Sequence, residues 1–113
     1  MHEMSLCEGI LQLMEGESKK QGFNKVKTVV LQIGSLAMVD ESALRFSFDI
    51  VTKNSIAEES KLVIEQVKAQ AWCMPCGDRV QINKRYDSCP KCQSHQLQVT
   101  EGDEMKVKEL GVE

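Results

Sequence analysis

Four cysteines form two C-x-x-C hooks, Cys73-Met-Pro-Cys76 and Cys89-Pro-Lys-Cys92, with twelve residues between them. Two hooks at the ends of a short loop bring four thiolates within reach of one ion. Soft sulfur donors in a tetrahedral set suit Zn(II), and such a closed site is structural because no position is left for a substrate. Gly77 follows the first hook and can adopt the backbone conformation that turns amide N–H groups towards sulfur. Two other readings use the same residues. An iron centre of rubredoxin type has similar hooks, and colour or metal analysis separates it from zinc. A pair of disulfides needs an oxidising compartment, for which this chain shows no secretory feature.

A second candidate lies at the opening Met-His-Glu. The Nδ1 of His2 and its own backbone nitrogen close a six-membered chelate ring around a metal. The backbone nitrogens of His2 and Glu3 close a five-membered one. Fused rings of this kind hold Ni(II) or Cu(II) in a planar arrangement once the amide protons are displaced. Amides this near a helix start are not yet committed to helix hydrogen bonds. On spacing alone the signal is weak, since a terminal histidine is usually a frayed, solvated residue.

The elements that must position these groups follow from periodicity. A first helix is predicted from Ser5 to Gln21, opened by a Ser5/Glu8 capping box and closed by Gly22. Leu6, Ile10, Leu13 and Met14 form its apolar stripe, with Cys7 and Leu11 beside them. Lys25 to Ile33 alternates as a strand, with Val29, Leu31 and Ile33 towards the core and Thr28, Val30 and Gln32 away from it. Asp40 or Glu41 opens a second helix carrying Leu44, Phe48 and Val51, flanked by Phe46 or Ile50. Lys61 to Ala69 reads as a second strand. Trp72 to about Gln96 is a metal loop too poor in large apolar residues to fold without its ion, with short ribbon strands at Val80–Ile82 and Leu97–Val99. After a turn at Glu101, Gly102 and Asp103, Met105 to Leu110 alternates again and returns to pair with the earlier strands.

The pattern implies an α+β fold: two helices packed on a small three-stranded sheet, with an inserted zinc-ribbon module. Residues 1–70 plus 101–113 make the main domain and 71–100 the zinc-binding module. The chain of 113 residues is 42% hydrophobic and 27% charged, enough for one modest core, built mainly of aliphatic residues and methionine. A formal net charge of −3 gives no general drive towards nucleic acid or an anionic membrane. No apolar run approaches the roughly 20 residues of a membrane span. Acids Glu3 and Glu8 stand where a signal peptide would carry lysines, so the cytoplasm is the expected location.

Several stretches together resemble the HypA/HybF family, whose members deliver nickel during maturation of [NiFe]-hydrogenases. They are the opening MHE with SLC after it, IGSLAMVDESALRFSFDIV, the AQAWC approach to the first hook, and the closing GDEMKVKEL. The resemblance spans essentially the whole chain. It implies a nickel site at Met1, His2 and Glu3, in which His2 gives imidazole and backbone nitrogen and Glu3 its backbone nitrogen. Asp40 matches an acidic residue that can complete that site. Cys73, Cys76, Cys89 and Cys92 match the family's structural zinc site. Implied too are Ni(II) as transient cargo and two partners, a nickel-insertion GTPase and the hydrogenase large-subunit precursor. Some members carry histidines beside both hooks; here Gly77 and Asp78 follow the first, and His95 follows the second.

Simpler roles stand beside these. Asp40 also fits as a helix N-cap, and one carboxylate oxygen can cap while the other binds metal. Cys7 reads as a buried apolar thiol, and Glu3 as a favourable charge at a positive helix end. His95 reads as solvated, with replacement of Cys92 at zinc the minor option. Arg79, Lys84, Arg85 and Lys91 offset the double negative charge of a four-thiolate zinc centre. No nucleophile-plus-base set and no Gly-rich phosphate loop is present, so the chain reads as a carrier rather than an enzyme. The competing class is a zinc-ribbon module that binds protein or nucleic acid and has no nickel role.

Overall fold

A computed structural model describes residues 2–113. The elements run α1 (Glu3–Gln21), β1 (Val26–Gly34), α2 (Glu41–Val51), β2 (Lys61–Val67), β3 (Ala69–Cys73), β4 (Asp78–Ile82), β5 (Leu97–Glu101) and β6 (Met105–Val112). They form two three-stranded sheets, ordered β2-β1-β6 and β4-β3-β5. The fold is thus two helices and two small sheets, with the last strand returning to β1 as expected. Two compact units divide the chain. One holds the residues up to Leu31, Val39–Ile64 and Val107–Glu113; the other holds Gln32–Met38 and Glu65–Lys106.

In the first unit α1 and α2 pack together. The Cys7 thiol donates to the Leu44 carbonyl at 3.5 Å. α1 begins two residues before the expected Ser5, and its N-cap is His2, in extended conformation with no side-chain cap. The Ser5/Glu8 capping box is therefore not formed; both residues lie inside the helix. The Glu3 side chain serves the other helix instead: its carboxylate accepts from the amide N–H of Asp40, the N-cap residue of α2, at 3.3 Å. The buried face of α1 is Cys7, Ile10 and Met14, while Leu13 is 46% exposed. Both stripes satisfy a 3.6-residue period, and packing against α2 selects the narrower one. The helix stops at Gly22, which takes a left-handed φ of 78° and returns its N–H to the Ser18 carbonyl.

In β1, Val30 is buried along with Val29, Leu31 and Ile33, so the strand is covered on both faces rather than one. α2 starts as the sequence suggests. Asp40 is its N-cap, and Oδ1 accepts from the Ala43 amide at 3.0 Å. Leu44, Ser47 and Phe48 are buried, and Phe46 and Ile50 point outward. Among the described residues no helix is long and apolar enough to cross a membrane.

The second unit corrects the expected strand from Lys61 to Ala69. That run breaks at Lys68, and Ala69 opens β3, the central strand of the other sheet. β3 runs antiparallel to β4, with Ala71 opposite Val80 and Cys73 opposite Asp78. It also runs antiparallel to β5, with Ala71 opposite Val99 and Cys73 opposite Leu97. Ala69, Ala71, Cys73, Val80 and Ile82 form a small core with Leu36 and Cys89, and Leu97 and Val99 pack against it.

Backbones cross closely beside this core. The Gly34 N–H donates to the Glu104 carbonyl at 3.0 Å and the Leu36 N–H to the Gly102 carbonyl at 2.8 Å. A Cβ on Gly34 would overlap the backbone of Gly102, and one on Gly102 (φ +89°) would overlap the backbone of Ala69. Neither neighbour is a flexible side-chain end that could yield. Gly34→Ala should therefore destabilise the protein by about 3 kcal/mol or more, the upper end of overpacking costs. Gly16→Ala on α1, where an added Cβ meets nothing, should stabilise by roughly 0.5–1 kcal/mol. Urea unfolding of the two variants checks the contrast.

Candidate metal centres

The hooks converge as their spacing predicts. The four Sγ atoms lie within 4.8 Å of one another. Cys73 and Cys92 are 3.5 Å apart and Cys76 and Cys89 3.9 Å apart, sulfur to sulfur. Four sulfurs at about 2.3 Å from a central zinc would stand roughly 3.8 Å from each other, so the donor set fits a tetrahedral ion. All five cysteines of the chain are free, which removes the disulfide reading. The geometry suits a four-thiolate iron centre equally, and metal analysis separates the two.

Each hook is a tight knuckle of the same design. Cys73 ends β3, and the Gly77 N–H returns to the Cys73 carbonyl at 2.9 Å. In the second hook the Gln93 N–H returns to the Cys89 carbonyl at 2.7 Å. The residue closing each knuckle is left-handed, Gly77 at φ 61° and Gln93 at φ 65°. The sequence pointed to Gly77 for amides aimed at sulfur, but its own N–H goes to a carbonyl. The amides that reach sulfur are those of Cys76 on Cys73, and of Cys92 and Lys91 on Cys89. For Lys91 that contact is 3.4 Å. No residue type announces a left-handed glutamine, so the second knuckle had no sequence signal beyond the hook itself.

These donors set the electrostatics. Burial pushes the Cys89 thiol up, yet the Cys92 and Lys91 amides outweigh it and bring the group down to about 6. Hydrogen bonding to Cys92, then burial, pushes Cys76 up to about 12. Thiols crowded this way ionise one at a time, and a divalent cation is what lets all four lose their protons together. Of the basic residues expected to offset that charge, Lys91 is placed to do so. Its ammonium lies 2.7 Å from Asp78, and it also feels Cys76 and Cys89. His95 is exposed and is not among the gathered ligands.

The N-terminal candidates lie in the first unit. Met1 is outside the described residues. His2 is exposed, and its carbonyl accepts the first helix hydrogen bond, from the Leu6 amide at 3.1 Å. The N–H groups of His2 and Glu3 precede that ladder. Glu3 and Asp40 meet through the 3.3 Å hydrogen bond between the Asp40 amide and the Glu3 carboxylate. The N-terminal ends of α1 and α2 are thus neighbours. Among the described residues the four cysteines are the one gathered set of ligand side chains; those of His2, Glu3 and Asp40 do not converge in that way.

Cys7 behaves as the stripe position implies. It is fully buried, and burial, then the charge of Glu3, pushes its thiol up to about 11. In the folded chain it should resist alkylation while an unfolded chain reacts. The linkage sign is definite. Between the ordinary thiol value near 9 and about 11 the folded state holds the proton that the unfolded state has lost. Stability then falls as pH rises through that window. Urea midpoints for the wild type should drop between pH 9 and 11, and those of Cys7→Ala should drop less.

Taken together, fold and site define a small α+β metal-binding protein: two helices with one sheet, and a second sheet carrying a four-thiol metal ribbon. The chain belongs to the HypA family. The model of that family, described as hydrogenase/urease nickel incorporation, metallochaperone, matches residues 1–112. The chain is 54% identical over all 113 residues to a hydrogenase maturation factor HypA of Acidithiobacillus ferrooxidans, covering the whole of both chains. It is 54% identical on the same terms to one from Bradyrhizobium, and 50% to one from Azotobacter vinelandii. The fold is similar to the solution structure of the Ni metallochaperone HypA from Helicobacter pylori. There the TM-score is 0.75 at 29% identity, over 99% of this chain and 97% of that one. Membership of this family supports a role in hydrogenase maturation.

Proposed function

We propose that the chain is a nickel metallochaperone that binds Ni(II) at its N-terminus and delivers it during maturation of [NiFe]-hydrogenase. His2 supplies Nδ1 and its backbone nitrogen, Glu3 its backbone nitrogen, and Asp40 a carboxylate oxygen. The observation that carries this reading is the start of α1. Because the helix ladder begins with the His2 carbonyl, the His2 and Glu3 amides are free to lose their protons to a metal. Only one Asp40 oxygen serves the cap of α2, so the other is left for a ligand role. No side-chain convergence is required of Glu3, since its contribution comes from the main chain.

The same arrangement favours release. Two helix N-termini face this region, and each disfavours a cation by about 0.3–1 kcal/mol. Together they weaken nickel binding by roughly 3- to 30-fold relative to the bare chelate, a direction suited to a carrier. Zn(II) at Cys73, Cys76, Cys89 and Cys92 holds the second unit and takes no part in transfer. Nickel is held by the first compact unit and zinc by the second, whose bounds run wider than the 71–100 module expected from the hooks. The partners are a nickel-insertion GTPase, which supplies any nucleotide hydrolysis, and the hydrogenase large-subunit precursor. The site of action is the cytoplasm, without nucleic acid or membrane. Nickel and zinc stoichiometry of the purified wild type and His2→Ala tests the proposal.

A further inference from the structure

The second unit carries a groove that neither metal centre uses. Ser35, Leu36 and Met38 form one side and residues 83–86 the other, around a volume of about 450 Å³. Its composition is unusual for a surface. Leu36 belongs to the small core and gives an apolar floor, while Met38 is 80% exposed and Tyr86 73%. Met38 is held at φ 55°, a left-handed conformation that non-glycine residues other than Asn, Asp and His seldom adopt. Sparsely populated backbone of this sort persists where surroundings impose it, and it clusters at ligand clamps. The facing turn is also fixed. One Asp87 carboxylate oxygen accepts from the Asn83 and Lys84 amides at 2.9 and 3.0 Å. That use of Asp87 leaves the two basic side chains of the turn on display. The Lys84 ammonium lies 5.6 Å from the Tyr86 ring centroid, and among the described residues no salt bridge of up to 4 Å joins Lys84 or Arg85 to a carboxylate.

We propose that this groove is a docking site for an acidic peptide segment of a partner protein, one large apolar side chain flanked by carboxylates. The apolar residue fills the space between Leu36, Met38 and Tyr86. The carboxylates meet Lys84 and Arg85, whose positive charge stands out on a chain of net charge −3. Methionine suits such a surface because its flexible, polarizable side chain moulds to different apolar shapes. The apolar floor selects a peptide over the other anionic candidate, single-stranded nucleic acid, which would want a stacking track with spaced cations.

The test uses the full-length, zinc-loaded protein, ¹⁵N-labelled, and a fluorescein-tagged hexapeptide of one leucine flanked by glutamates. Resonance shifts should centre on Ser35 to Met38 and residues 83–86, and anisotropy should give saturable binding that weakens with salt. Replacing the peptide leucine by serine, or its glutamates by glutamine, should lower affinity about tenfold or more, as should Lys84→Glu with Arg85→Glu. Met38→Gly is the deciding variant. It suits the left-handed backbone and so keeps the fold, yet it removes the thioether and should cost a similar factor. Shifts elsewhere, an unchanged affinity in Met38→Gly, or tighter binding of an oligothymidylate at the same residues would each overturn the proposal.

Discussion

Cys76→Ala should leave the purified protein without its single tightly held zinc and should unfold the ribbon while the helices persist. Metal analysis is expected to fall from one zinc per chain to near none, and the helical circular dichroism of α1 and α2 to change little. The asymmetry comes from how the two units are built. The second unit's core is small: Ala69, Ala71, Val80 and two of the cysteines themselves, with only Leu36 and Ile82 as larger members. Burial of so little apolar surface cannot offset the ordering of the loop between the hooks. A structural zinc supplies on the order of 10 kcal/mol or more in small peptides, and here that free energy substitutes for a core. The first unit has its own buried set, including Met14, Val26, Leu31, Leu44 and Phe48. Trp72, next to Cys73 and 40% exposed, gives an independent fluorescence readout of the ribbon. Full zinc occupancy in Cys76→Ala, or iron in the wild type, would show the assignment to be wrong.

The ribbon was legible because ligand chemistry writes itself into local spacing. Two residues between cysteines and a short loop between hooks are requirements of one ion, and both can be read without knowing the fold. The N-cap of α2 was legible for a similar reason, since Asp40 and the amide it satisfies lie within one turn. What escaped depends on partners distant in sequence. α1 starts at Glu3, whose carboxylate reaches the Asp40 amide far along the chain, and no local rule favours that start over the Ser5/Glu8 pattern, which is equally at home inside a helix. β3 merged with the strand before it because its inward residues are alanines, weak in strand propensity. Only pairing with β4 and β5 assigns it to the other sheet. The contact of Gly34 with Gly102 is invisible for the same reason, as each glycine alone reads as a turn.

His2→Ala should abolish stoichiometric nickel binding while zinc stays at one per chain. The expected loss exceeds about 100-fold, above the 10- to 100-fold cost of removing a group that only supports a ligand. The reason is covalent. Imidazole and backbone nitrogen must come from one residue to close the six-membered ring, and His95, the chain's other histidine, lies in the second unit. Two companion variants separate ligation from simple disturbance of the helix ends. Glu3→Ala keeps the main-chain donor and loses only the hydrogen bond to the Asp40 amide, so nickel should weaken modestly. Asp40→Ala removes both a single exchangeable oxygen and the cap on Ala43. It should weaken nickel less than His2→Ala and also destabilise α2 by about 1 kcal/mol. Because amide and imidazole protons must leave, affinity should fall as pH falls. In cells the His2 variant should leave hydrogenase without nickel, and excess nickel in the medium should restore part of it by mass action. If equilibrium dialysis finds nickel stoichiometry and affinity unchanged in His2→Ala, the N-terminal chelate is not the cargo site. A zinc-ribbon module that binds protein or nucleic acid would then be the better description of what the chain does.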